Sequence, residues 1–121
     1  MPRVIHFELP ADDPERAVSF YQKALGWHIE KWYGPEDYWL VSTGDAGQEG
    51  INGAITRRSA FPVICNTVGV DSVDEYVGRV VAAGGEIAMP KMAVPGVGYL
   101  AYCKDTEGNL FGMMQSDPNA K

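Results

Sequence analysis

An interval of 59 residues recurs along this chain of 121. Glu49-Gly50-Ile51-Asn52-Gly53-Ala54-Ile55 and Asp105-Thr106-Glu107-Gly108-Asn109-Leu110-Phe111-Gly112-Met113-Met114-Gln115 share one layout, a polar turn followed by an apolar run broken by a glycine. Gly53 and Gly112 are 59 apart, as are His6 and Cys65, each early in an extended segment. Asp13 and Ser72 precede helical patterns at the same interval, and Gly26 and Gly85 follow them. Four landmarks at one spacing describe two copies of one module.

Local signals fill in each copy. Arg3 to Leu9 alternates as a strand, with Ile5, Phe7 and Leu9 on the face that meets a helix and His6 and Glu8 on the other. Asp13 as N-cap, Pro14 in the first turn and Ala17, Val18, Tyr21, Ala24 and Leu25 at helical spacing predict that helix, stopped by Gly26. Strands are expected over Trp27 to Tyr33, Tyr38 to Thr43 and Ile51 to Arg57. The second copy repeats the order. A strand over Val63 to Val70 sets Cys65 and Thr67 on the face away from the helix, and a helix opens at the capping box Ser72-Val73-Asp74-Glu75. Strands over Glu86 to Met92, Gly98 to Cys103 and Asn109 to Gln115 complete it. The expectation is α+β, two βαβββ modules in one domain spanning residues 1–121, about 3–57 and 63–115, joined by Arg58-Ser59-Ala60-Phe61-Pro62. Ser116 to Lys121 reads as a frayed polar tail.

Composition narrows the partners. Ten Lys and Arg against 16 Asp and Glu give a net charge of −6, with no basic run, which argues against nucleic acid or an anionic membrane surface as a partner. No stretch has the length of a membrane span, and the start of the chain enters a strand without a charged leader, so a cytoplasmic protein is expected. Cys65 and Cys103 lie in separate strands and are expected as reduced thiols.

The stretch from Leu9 through Asp13-Pro14-Glu15-Arg16-Ala17 to Tyr21, with Leu25-Gly26-Trp27, Val70-Asp71-Ser72-Val73-Asp74, Pro95-Gly96-Val97-Gly98-Tyr99 and Asp105 to Gly112, resembles the glyoxalase and bleomycin-resistance family of the vicinal oxygen chelate superfamily. The resemblance implies that the mixed sheets curl into a cup with the helices outside and a small-molecule site in the hollow, usually in a homodimer. It also implies a divalent metal held by His or Gln on the first strand and Glu on the last strand of each module. The corresponding positions here are His6, Cys65, Gly53 and Gly112, of which His6 alone is a usual ligand. Glu8, two residues from His6 on the same face, is the candidate second ligand or catalytic base.

Alternation from Gly53 and Gly112 places Ile51, Ile55, Leu110 and Met114 on an apolar floor, and Trp32, Trp39, Tyr99, Phe111 and Met114 are the candidate substrate contacts. Tyr38, Tyr102 and Met92 are further wall candidates. The function expected is a binding protein for a small organic ligand, with a degenerate metal site and no cofactor. The alternative is a metal-dependent lyase, isomerase or dioxygenase using His6 with Glu8.

Overall fold

The structure is a computed structural model that describes residues 2–34, 36–58 and 62–121. Its elements run β1 (Arg3–Ala11), α1 (Pro14–Leu25), β2 (His28–Lys31), β3 (Tyr38–Ser42), β4 (Asn52–Arg57), β5 (Cys65–Gly69), α2 (Val73–Ala82), β6 (Glu86–Val94), β7 (Gly98–Lys104) and β8 (Leu110–Ser116). This is βαβββ twice, the α+β content the spacing predicts. Ser59 to Phe61 of the expected linker, and Pro35 of the expected β2–β3 turn, lie outside the described residues. Contacts divide the chain into two compact units, residues 6–64 and residues 1–5 with 65–121.

In the unit of residues 6–64 the strand order is β2-β3-β4-β1, antiparallel except that β1 and β4 run parallel. The Asp13 carboxylate accepts the Arg16 amide at 3.1 Å and Pro14 fills the first helical position, where no amide is needed. Gly26 ends the helix in the left-handed region at φ 70°, a conformation glycine adopts without strain. Ala17, Val18 and Tyr21 of α1 pack with Phe7, Leu9, Trp27, Ile29, Trp39, Val41 and Ile55, the core of this unit. The Tyr21 and Trp27 rings stack with centroids 5.0 Å apart. One face of the strands is thereby given to α1.

The second unit repeats the arrangement as β6-β7-β8-β5, with β5 and β8 parallel. Ser72 Oγ accepts the Glu75 amide, and Gln115 Oε1 on β8 accepts the Val73 amide at 3.0 Å, satisfying another donor of the first helical turn. Tyr76, Val77 and Val80 of α2 close over Val68, Val70, Ala101, Cys103, Phe111 and Met113. Register shifts interrupt β6 between Ile87 and Met92, around Pro90, which has no amide to give the ladder. The expected frayed tail is instead docked. Ala120 is buried, its carbonyl accepts the Gly96 amide at 3.0 Å, and the Asp117 amide reaches the Val97 carbonyl. Backbone pairing to the β6–β7 turn outweighs the polar composition that suggested fraying.

Candidate functional site

In the unit of residues 6–64, Phe7, Leu9, Trp39, Val41 and Ile55 face α1, so alternation turns His6, Glu8, Tyr38, Leu40 and Ala54 to the opposite face. Three of these form one hydrogen-bonded chain. His6 Nε2 lies 2.7 Å from Tyr38 Oη, which donates to Glu8 Oε2 at 3.0 Å. The His6 and Tyr38 rings are nearly parallel, 7° apart. Spacing in β1 brings His6 and Glu8 to one face, and the pairing of β1 with β4 and β4 with β3 carries Tyr38 above them. Burial holds the His6 pKa below its ordinary value, and the nearby Glu8 carboxylate opposes that shift.

Trp32 forms the outer boundary. Its ring meets Tyr38 edge-on with centroids 5.9 Å apart, and the indole lies against Gly34, where any side chain would occupy the same space. β2 accordingly ends at Lys31, although the Trp32 amide still reaches the Tyr38 carbonyl at 2.8 Å. Beyond Trp32 the β2–β3 turn encloses an open hollow of about 570 Å³, lined among others by Glu30, Tyr33 and Asp37.

The other candidate contacts are placed differently. Trp39 is buried in the α1-facing core, flanked by the Lys31 and Arg57 cations at 5.4 and 5.8 Å from its ring. Tyr99 and Phe111 pack beside the α2-facing core, and Lys91 Nζ sits 4.8 Å from the Tyr99 ring. Met114 pairs with Leu100 and Gly69, on the face of its unit opposite α2. Cys65 and Thr67 occupy that face on β5, and both are buried. His28 is exposed and bonded to Glu30. Sequence reasoning groups Tyr38 with the other aromatic residues and misses its central position, since its partners lie 32 and 30 residues away in the chain.

Assigning β4 by the 59-residue interval needs correction. Gly53 pairs with Phe7 and its missing side chain would point to the α1 side, as does the side chain of Ile55, while Ile51 precedes β4. The last-strand residues on the His6 face are Asn52, Ala54 and Thr56, with Asn52 and Ala54 opposite His6 and Glu8. In the second unit Gly112 does face away from its helix, beside Thr67 and Tyr102, and Leu110 and Met114 share its face. The reason is register. Asn66 stands 59 residues after Phe7, but its partner Phe111 stands 58 after Gly53, and one residue reverses the face.

Corrected, the donor set is still short for a divalent metal. Ala54 has no donor atom, and the Asn52 amide oxygen accepts the Thr43 amide at 2.9 Å. Among the described residues no three His, Cys, Asp or Glu side chains come together. His6 and Glu8 are two donors where a catalytic site ordinarily has about three, so the residues present do not fit the expected ligand set.

Comparison with known proteins gives consistent findings. The sequence profile of the Glyoxalase/Bleomycin resistance protein/Dioxygenase superfamily matches residues 3–113. The Mycobacterium tuberculosis protein named "Putative glyoxylase CFP32" is 26% identical over 115 residues, covering 91% of this chain and 44% of its own. The chain thus spans less than half the length of the curated relatives it matches. Among solved structures, methylmalonyl-CoA epimerase from Mycobacterium tuberculosis superposes with TM-score 0.70 at 14% identity, covering 95% of this chain and 88% of that one. A single-residue variant of Streptomyces coelicolor methylmalonyl-CoA epimerase, in complex with 2-nitronate-propionyl-CoA, gives 0.71 at 14% identity over 100% and 99%. A glyoxalase/bleomycin resistance protein/dioxygenase superfamily member from Vibrio splendidus 12B01 gives 0.65 at 16% identity over 97% and 100%. These likenesses concern the fold. Among the described residues no helix is long and apolar enough to cross a membrane.

Proposed function

Because the chain belongs to the Glyoxalase/Bleomycin resistance protein/Dioxygenase superfamily, we propose that it binds a small organic molecule on the strand face opposite α1. His6, Tyr38 and Glu8 are its polar anchor and Trp32 its aromatic wall. One observation carries the reading: three polar side chains from two strands are joined into a single chain on a face that α1 leaves uncovered. A structural polar pair would need only two members, and an apolar surround with a few convergent polar groups is the usual make-up of a ligand site. In the second unit, taken by itself, Met114 is a separate candidate contact on the face opposite α2.

A second reading has a specific support. Glu8 accepts the Tyr38 hydroxyl and is so held in place beside His6, the arrangement of a positioned carboxylate base. In that case the protein is an enzyme moving a proton at an activated carbon of its substrate, with Glu8 as the base. Residues 1–121 as one domain, assembly as a homodimer and a cytoplasmic location complete the proposal. Light scattering that gives a monomer overturns the dimer.

The test is calorimetric titration with phenol, benzoate and methylmalonyl-CoA, repeated on Tyr38→Phe. Binding of at least one probe with a Kd at or below about 1 mM, weakened in the variant, is expected. Silence from all three, or binding that the variant leaves unchanged, overturns it.

A further inference from the structure

The hydrogen bonds that Tyr38 makes to His6 and to Glu8 need two protons, and Tyr38 carries one. A carboxylate only accepts, so the Tyr38 hydroxyl proton belongs to the bond to Glu8 Oε2. The 2.7 Å contact between Tyr38 Oη and His6 then has to take its proton from Nε2. In a neutral imidazole this leaves Nδ1 as the lone-pair nitrogen, and among the described residues nothing bonds it. The opposite order would need a proton on Glu8, with Tyr38 donating to Nε2.

We propose that Tyr38 is a positioning residue that fixes His6 in the Nε2–H tautomer, so that the site offers Nδ1 as a hydrogen-bond acceptor and selects ligands carrying a hydroxyl or N–H donor. The inference rests on the binding site proposed above, but its first half concerns the protein without ligand. Its second half names the ligand's chemistry. A bare nitrogen acceptor suits a ligand that carries a donor, such as an aromatic alcohol, better than an ether or ester of the same shape. Trp32, lodged on Gly34 and set edge-on to Tyr38, limits the swing of the phenol ring and so supports the orientation.

The experiment is two-bond ¹H–¹⁵N correlation NMR of the histidine rings at pH 8, on the full chain. Wild type is expected to show protonated Nε2 and bare Nδ1 at His6. Tyr38→Phe removes the acceptor and is expected to give a mixture of tautomers, visible as ring nitrogens of intermediate shift. Glu8→Gln, whose amide can donate to Tyr38 and reverse the chain, is expected to do the same and serves if Tyr38→Phe does not fold. Protonated Nδ1 in wild type, or an unchanged tautomer in the folded variants, overturns the positioning role whatever ligands bind. Phenol and anisole, matched in ring and differing in the donor, then test the selection. Phenol is expected to move the Nδ1 resonance toward the hydrogen-bonded position while anisole leaves it in place. Equal responses, including none to either, overturn the ligand chemistry without touching the tautomer result.

Discussion

Phe7 and Gly53 face each other across the parallel strands β1 and β4, so closely that a Cβ on Gly53 would lie 2.5 Å from both the Phe7 ring and its carbonyl oxygen. The glycine is needed for packing of the α1-facing core, independently of any ligand. Gly53→Ala is therefore expected to destabilise the protein by about 1–3 kcal/mol, the range for overpacking a core. Urea unfolding measures this, and an unchanged midpoint would contradict the packing.

Gln115 reaches from β8 to the first turn of α2 and accepts the Val73 amide. Gln115→Met keeps the volume and removes the acceptor. The loss should be about 1–3 kcal/mol, the cost of leaving a buried amide unpaired, with faster hydrogen exchange of the Val73 amide. Exchange as slow as in wild type would show that another group holds it.

Stability should fall on mild acidification, with His6 as one cause. Burial lowers its folded pKa below the unfolded value of 6.5, so the unfolded chain takes up the proton first. The histidine therefore favours the folded state least below that folded pKa, and stability is lost as pH falls through 6.5 toward it. His6→Gln is expected to flatten the stability profile between about pH 7 and pH 5. A profile as steep as in wild type would mean that other groups set it.

Asp105 holds the β7–β8 turn by accepting the amides of Glu107 and Asn109 at 2.8 and 2.9 Å, bonds that lower its pKa, those from Asn109 most. Asp105→Ala should speed hydrogen exchange of those two amides in particular. In wild type the same loosening should appear only in acid, as the carboxylate is protonated. Uniform exchange across the variant would contradict the assignment.

The fold is largely legible in the sequence because its signals are local. Asp13, Pro14 and Gly26 bound α1, Ser72 opens α2, and alternation in β1 separates Phe7 and Leu9 from His6 and Glu8. The site is half legible. His6 and Glu8 stand two residues apart in one strand, whereas Tyr38 joins them only through the register of β3 on β4 and β4 on β1, which the chain does not announce. The 59-residue interval puts Gly53 on the wrong face because spacing between landmarks carries no information about a one-residue change of register. Trp39 cannot be told from a ligand contact by type, since a buried aromatic and a binding aromatic look alike in sequence.

The central claim, that a small organic molecule binds beside the His6–Tyr38–Glu8 chain, is tested most directly by mapping amide shifts in ¹H–¹⁵N spectra during titration with phenol. The account predicts saturable shifts concentrated at His6, Glu8, Trp32, Tyr38 and Leu40, and reduced in Tyr38→Phe. Saturable shifts confined to α1 and the α1-facing residues around Trp39, or none up to the solubility limit of the probe, would contradict it.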